Sequence, residues 1–112
     1  MSDGKGHWCV ADALTGLADI RDGKRFVSLY RDRGWEIEIY APRGHDPQKP
    51  HDRDEIYVVM AGRGVFLNGD ARRPFGPGDL LFVPAGHIHR FEEFSDDLAV
   101  WVIFHDSLAK TD

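Results

Sequence analysis

Glycine and proline interrupt this chain of 112 residues at short intervals, with 12 glycines and 6 prolines in all. The segments between them favour strands, and the clearest, Trp35–Tyr40, alternates apolar and polar side chains with the period of a strand. Similar short runs occupy residues 26–30, 56–60, 65–67, 72–75, 80–83, 90–94 and 98–105. Residues 11–19 form either a short helix or a loop. About eight short strands joined by tight turns predict an all-β sandwich or barrel.

Charge and composition exclude several classes of protein. The formal net charge of -5 argues against nucleic acid as a partner, because phosphate binding requires a basic face. No apolar run approaches the ~18 residues of a membrane-spanning helix, and the first residues lack the pattern of a secretory signal. The single cysteine, Cys9, excludes an intramolecular disulfide. We therefore expect a cytoplasmic protein with no membrane partner.

Two histidines and a glutamate have a spacing that allows them to share a metal ion. His51 and Glu55 are four residues apart, and His89 follows a turn at the start of a later predicted strand. Imidazole nitrogens and a carboxylate form a mixed ligand set that suits Fe, Mn, Co, Ni, Cu or Zn. A jelly roll unites these side chains, because it pairs the two hairpins and places both strand starts at one mouth of the barrel.

Two motifs around these residues resemble those of the cupin superfamily. The first cupin motif has a His-x-His pair, then a glutamate, and a glycine seven residues further on. Its later positions match His51, Glu55 and Gly62. The second motif, a glycine followed by Pro-x-Gly and a histidine, is matched without a gap by Gly78, Pro84, Gly86 and His89.

The resemblance implies a jelly-roll barrel over residues 35–105, within a single domain that spans residues 1–112 and begins with an N-terminal arm at 1–24. It implies one divalent transition metal (Fe, Mn, Ni, Zn or Cu) and a small-molecule ligand inside the barrel. It also implies a homodimer in which the first strands of one subunit extend the partner's sheet. Residues 26–30 are the candidate for that contact, because an edge strand needs protection.

The chain departs from the cupin pattern at Lys49, where the first histidine of the pair belongs. A lysine is protonated at neutral pH and is a poor ligand. Gln48 is the nearest replacement, because its side-chain oxygen can bind a hard metal. The other candidates are His45, if its loop folds back, and His87, which we interpret as lining the pocket or its rim. The predicted metal ligands are His51, Glu55, His89 and Gln48.

The alternating strand presents two carboxylates on one face. We interpret Glu36 and Glu38 as a solvated face. The alternative is that they point into the barrel, where a carboxylate near a metal could act as a base. Several aromatic residues are predicted to form the core or the cavity wall, namely Tyr40, Tyr57, Phe82, Phe91, Trp101 and Phe104.

Three functions are compatible with these features. The first is a metal-dependent enzyme of the oxygenase or isomerase type, in which the metal activates O₂ or polarises a substrate oxygen. The second is a non-catalytic module that binds or senses a small ligand. The third is a metal-free barrel, which the lysine at position 49 would permit. Because this fold hosts many unrelated functions, the choice depends on the site itself.

Overall fold

In this computed structural model, residues 6–19 and 24–106 are described, and they form one helix and eight strands. The helix α1 spans Val10–Ala18. The strands are β1 Phe26–Asp32, β2 Trp35–Tyr40, β3 Asp54–Ala61, β4 Gly64–Asn68, β5 Ala71–Phe75, β6 Leu80–Val83, β7 His89–Glu92 and β8 Ala99–His105. Each strand lies within two residues of its predicted position, and the segment predicted as helix or loop is a helix.

The strands form two antiparallel sheets, as expected for a jelly roll. One sheet has the order β1-β2-β8-β3-β6, and the other has the order β5-β4-β7. The core between them contains the buried aromatic residues Tyr57, Phe66, Phe91 and Phe104, together with valines of β3, β6 and β8. Gly62 permits the sharp return after β3, because its φ is +99° and an added Cβ would lie 2.6 Å from the Cα of Leu98.

Helix α1 covers the outer face of the larger sheet beside β1 and β2. Leu17 of the helix packs with Ala41 and Ala99, and Val27 and Met60 border the same cluster. Because the helix shields the outer face, the polar residues of β2 occupy the inner face. The interpretation of Glu36 and Glu38 as a solvated face was therefore wrong.

Two aromatic residues predicted for the core or the cavity wall are misplaced. The side chain of Phe82 is 50% exposed, because β6 is an edge strand and its alternate residues Leu81 and Val83 face the core instead. Trp101 is the second, because it alternates along β8 with Val100 and Val102, which face the core. The other four predicted aromatic residues belong to the core or pack against it. Tyr57, Phe91 and Phe104 are buried, and Tyr40 and Trp101 are half-buried.

Strand β1 forms the opposite edge of the larger sheet, and its Phe26 and Tyr30 are exposed. Dimerisation through residues 26–30 stays a prediction, as does the single-domain boundary at 1–112 with its arm at 1–24. No helix within residues 6–19 and 24–106 is long and apolar enough to cross a membrane.

Candidate metal centre

The two predicted motifs meet through hydrogen bonds donated by backbone N–H groups of the turn after β6. The N–H of Gly86 donates to the carbonyl of His51 at 2.7 Å, and the N–H of Ala85 donates to a carboxylate oxygen of Asp54 at 3.0 Å. Pairing of Glu55 with Val83 in the sheet continues this alignment. The turn after β6 is thereby fixed against the loop before β3, which explains why residues so distant in sequence share one site.

Three predicted ligands converge at this junction. His51 comes from the loop before β3, Glu55 is the second residue of β3, and His89 is the first residue of β7. The Nε2 atoms of His51 and His89 lie 3.7 and 3.2 Å from Oε1 of Glu55. All three candidate ligand atoms lie within 4.8 Å of one another. The side chains of Glu55 and His89 are almost completely buried, whereas 32% of the His51 side chain is exposed.

Gln48, the predicted replacement for the missing histidine, presents its oxygen to the same point. Its Oε1 lies 3.2 Å from Nε2 of His51 and 3.3 Å from Nε2 of His89. Its Nε2 donates to the buried Asp46 at 2.8 Å, and the hydroxyl of Tyr57 donates to Oε1 at 2.9 Å. These two partners fix the orientation of the amide, so that the oxygen faces the histidines.

The donor set fits a metal cation. Nδ1 of His89 lies 3.0 Å from the carbonyl of His87, so that nitrogen carries the proton and Nε2 offers a lone pair. Among the described side chains, Oε1 of Glu55 is buried with no hydrogen-bond partner. Two imidazole nitrogens, an amide oxygen and a carboxylate oxygen therefore face one another at distances of 3.2 to 3.7 Å. This mixed nitrogen and oxygen set is one that could hold a transition-metal ion.

The other candidates to replace the missing motif histidine, and Lys49 itself, lie outside this cluster. Lys49 and His45 line the mouth of the adjoining cavity. His87 is exposed beside Gly69 and contributes its backbone carbonyl to the orientation of His89. Gln48 is thus the replacement that the fold brings to the histidines.

The cluster lies at a cavity of about 780 Å³, within the range of small-molecule sites. Glu38 and Tyr40 of β2 line one wall, and Val102 and Phe104 of β8 line the next. The sequence motifs gave no sign of Glu38, because it belongs to neither motif. Its alternation with Ile37 and Ile39 was the available signal, but that pattern does not distinguish an inner polar face from an outer one.

A family model for the cupin domain matches residues 36–105 of the chain. The chain belongs to the cupin family. An uncharacterized protein of Streptomyces coelicolor is 36% identical to this cupin over 95 residues, which make up 83% of this chain and 90% of that protein.

Two relatives carry functional names. Dimethylsulfoniopropionate lyase DddQ of Ruegeria pomeroyi is 35% identical over 72 residues, which are 62% of this cupin and 36% of the lyase. Its crystal structure has a TM-score of 0.62 at 27% identity, covering 75% of this chain and 48% of that one. A proposed mannose-6-phosphate isomerase from Ralstonia eutropha has a TM-score of 0.63 at 26% identity, covering 81% and 94%. This cupin therefore spans about a third of the lyase and nearly all of the proposed isomerase.

The two carboxylates of β2 have different electrostatic environments. Glu36 is buried, which opposes its charge, but hydrogen bonds from Ser28 at 2.8 Å and Arg53 at 2.9 Å outweigh burial and lower its pKa. Burial, followed by the charges of Glu36 and Glu55, raises the pKa of Glu38 to about 7. Glu38 can therefore exchange a proton near neutral pH, the property required of a general base or acid.

The pKa values of His51 and His89 are shifted in opposite directions. Burial lowers the pKa of His51 despite the neighbouring Glu55, so its imidazole is neutral and able to bind a metal at neutral pH. Burial also disfavours charge on His89, but its interactions with Glu55 and with the carbonyl of His87 outweigh burial and raise its pKa. The position between His89 and Glu55 thus attracts positive charge, as a metal site does.

Proposed function

We propose that this cupin is a metal-dependent enzyme that moves a proton on a small-molecule substrate. In this proposal His51, Glu55 and His89 bind one divalent transition metal, and Gln48 supplies a fourth ligand atom. The observation that carries the proposal is the presence of Glu38 in the same cavity as the ligand cluster. A carboxyl group outside the cluster is available for chemistry, because the metal does not need it as a ligand.

The proposed reaction starts with removal of a proton from a carbon next to a carbonyl or carboxyl group. Glu38 accepts that proton, and the electron pair of the broken C–H bond moves onto the neighbouring carbonyl oxygen. A bound metal would act as a Lewis acid that stabilises this developing charge. Return of the proton to an adjacent carbon completes an isomerisation, whereas loss of a leaving group from that carbon completes an elimination.

The names of two relatives support this reaction class. One is a lyase and the other a proposed isomerase. Both types of reaction can begin with the proton transfer described above, and neither needs an oxidant. The two names support a type of reaction, and we do not extend the substrates of those proteins to this cupin.

An oxygenase is the second candidate, and the cluster itself favours it. Two histidines and one carboxylate are the ligand set of many non-haem iron oxygenases, which keep further positions open for O₂ and substrate. Iron as the bound metal, with substrate-dependent consumption of O₂, would favour this alternative. A module that only binds a small ligand would show metal and ligand binding without turnover.

The first experiment measures metal content by elemental mass spectrometry on protein purified without a histidine tag or chelator. We expect close to one metal per chain in the wild type and none in a His51→Ala/His89→Ala variant. Absence of metal from both proteins, even after incubation with Fe, Mn, Ni and Zn, would contradict the proposal and favour a metal-free barrel.

The second experiment follows proton transfer directly. Small 2-hydroxy and 2-keto acids and sugar phosphates are incubated with the metal-loaded protein in D₂O, and exchange of the hydrogen next to the carbonyl or carboxyl group is followed by NMR. We expect exchange with the wild type and its loss, by about 100-fold or more, in Glu38→Gln with its metal retained. Exchange that persists in Glu38→Gln would refute the role of Glu38. Metal binding without exchange or O₂ uptake would favour the binding module.

A further inference from the structure

Positive charge is concentrated around the cavity of this acidic protein. The chain has a net charge of -5, yet five of its 14 lysines and arginines line this one cavity. These cations are Lys24, Arg25, Arg43, Lys49 and Arg53. The carboxylates among the lining residues are Glu38 and Glu55. A bound divalent metal would offset Glu55 and make the cavity still more positive.

Two of these cations are adjacent and share one acceptor. Nε of Arg25 donates to the carbonyl of Ala41 at 2.8 Å, and Nη1 of Arg43 donates to the same carbonyl at 3.2 Å. Nη1 of Arg43 also lies 3.0 and 3.4 Å from the carbonyls of Pro42 and Leu98. Backbone carbonyls thus fix both guanidinium groups in place, while the remaining N–H groups of each arginine are not used by these bonds.

Among the described residues, no carboxylate offsets the proximity of the two arginines. Within residues 6–19 and 24–106, neither guanidinium forms an ion pair with a carboxylate. Burial and the charge of Arg43 lower the pKa of Arg25, the direction expected when like charges are held together. Arg53 differs, because it already pairs with Glu36 at 2.9 Å. An anion placed between Arg25 and Arg43 would relieve their repulsion.

Lys49 adds a third cation at this mouth. It follows Gln48 directly and lines the cavity, and it makes no hydrogen bond or ion pair with the other described residues. The first cupin motif has a histidine here, so this chain carries a positive charge at the position of a metal ligand, with no ion-pair partner among the described residues. Lys49 is exposed and lines the same cavity as Gln48, His51 and Glu55.

We infer that Arg25, Arg43 and Lys49 form a binding site for an oxyanion, so that the substrate carries a carboxylate or a phosphate group. The anionic group occupies the mouth, and the rest of a short substrate extends toward the metal ligands and Glu38. Arginine donors suit this role, because they bind the oxygens of carboxylates and phosphates in a bidentate manner. The inference depends on the proposed function only in taking this cavity as the substrate site.

The test uses inorganic phosphate and propionate as probes of the two oxyanion types, with binding measured by calorimetry and NMR on chelator-treated and metal-loaded protein. An Arg25→Gln/Arg43→Gln variant removes the arginine pair. Lys49→Gln is the milder variant, because this exposed lysine makes no hydrogen bond or ion pair with the other described residues. The matched control is Arg33→Gln/Arg73→Gln, which changes the net charge equally at exposed positions away from this cavity. Thermal melting checks that every variant is folded.

We expect at least one probe to bind chelator-treated wild type, and to bind about tenfold or more weakly in the double variant, with a smaller loss in Lys49→Gln. The control should bind like the wild type, and binding should weaken as salt is added. The preferred probe distinguishes carboxylate from phosphate substrates.

Two results would overturn the inference. One is the absence of binding by either probe to the folded wild type. The other is binding that requires metal and does not change in the variants, which would assign the anion to the metal and leave the proposed function intact. Loss of metal binding with retention of the anion site would instead refute the proposed function alone. The chelator-treated samples therefore separate the two failures.

Discussion

The candidate metal centre and the inner face of β2 both hold carboxyl groups that are buried or half-buried, but the groups that surround them differ. At the metal centre, Glu55 faces two imidazole nitrogens and the oxygen of Gln48, with no hydrogen-bond partner for its Oε1 among the described residues. On β2, Glu36 is paired with Arg53, whereas Glu38 forms no ion pair among the described residues. Its pKa is about 7, because burial and the charges of Glu36 and Glu55 outweigh the charge of Arg53. The comparison teaches that the surroundings decide the role. A carboxylate beside the imidazoles and the glutamine oxygen suits a metal, and one bonded to a guanidinium is structural. One for which burial and like charges prevail can carry a proton.

The most direct test of the difference between the two regions is to remove one carboxyl charge from each and to compare metal binding. Glu55→Gln should weaken metal binding by at least ~100-fold, because it deletes the only negative ligand of the set. Glu38→Gln should leave metal binding within a few-fold of the wild type. Metal content after dialysis, followed by competition with a chelator, measures both.

Equal loss of metal in the two variants would mean that Glu38 belongs to the metal set, and the distinction between the regions would fail. The reverse result, retention of metal by Glu55→Gln, would remove Glu55 from the predicted ligands. Either outcome is readable because both substitutions exchange a carboxyl group for an amide of nearly the same shape.

The pairing on β2 can be broken by Arg53→Gln. The guanidinium bonds Glu36 at 2.9 Å and lies 4.2 Å above the ring of Phe104, and 24% of the Arg53 side chain is exposed. Removal of the cation leaves the carboxylate of Glu36 buried without its charged partner, so we expect the free energy of unfolding to fall by roughly 2 kcal/mol. Urea unfolding at neutral pH measures this change.

A double-mutant cycle supplies the control for that loss. If the pair is the cause, Arg53→Gln should cost much less in a Glu36→Gln background than in the wild type. An equal cost in both backgrounds would assign the effect to the stacking of Arg53 on Phe104 instead.

The fold of this cupin was predictable from the sequence to a greater extent than its cavity. Turn residues and the two motifs located every strand, and they predicted the meeting of His51, Glu55 and His89. They also predicted Gln48 as one candidate, but the choice among Gln48, His45 and His87 required the path of the loop before β3. Asp46, which orients Gln48, lies in a loop whose burial no local pattern indicates.

The main prediction that failed concerned the orientation of β2, namely which of its two faces points to solvent. Alternation along Trp35–Tyr40 predicts that one face is polar, but the direction of that face depends on what covers the other one. Helix α1 covers the outer face, so the glutamates point inward. Phe82 failed for the related reason that an edge strand exposes alternate residues whatever their hydrophobicity. Packing against other elements determined both the orientation of β2 and the exposure of Phe82, and the period of the sequence does not reveal that packing.

The raised pKa of Glu38 can be tested through the pH dependence of the free energy of unfolding. Its pKa in the folded chain, about 7, lies above its ordinary value of 4.5, so folding favours the protonated form. The stability contribution is complete below about pH 4.5 and is lost as the pH rises through about 7. Metal-free Glu38→Gln should therefore match the wild type near pH 4.5 and exceed its unfolding free energy by about 2 kcal/mol near pH 8, allowing for solvent access.

Unfolding curves in urea at several pH values measure that difference. The Glu36→Gln variant is the matched control, because the pKa of Glu36 is lowered and its stability contribution has the opposite dependence on pH. A constant difference between wild type and Glu38→Gln at all pH values would contradict the assignment of a raised pKa to Glu38.

The smallest expected effect concerns the orientation of Gln48 at the metal centre. Burial, followed by the charge of Glu55, raises the pKa of Tyr57 well above its ordinary value, so the hydroxyl stays protonated and donates to Oε1 of Gln48. Tyr57→Phe removes this one donor and keeps the ring in the core, while Asp46 still holds the amide nitrogen at 2.8 Å. We expect the metal affinity to fall by about fivefold, the worth of one neutral hydrogen bond.

Gln48→Leu removes the oxygen itself, so it should weaken metal binding more than Tyr57→Phe if Gln48 is a ligand. Equal metal affinities for wild type, Tyr57→Phe and Gln48→Leu would reduce the set to His51, Glu55 and His89 and leave a further position open for substrate.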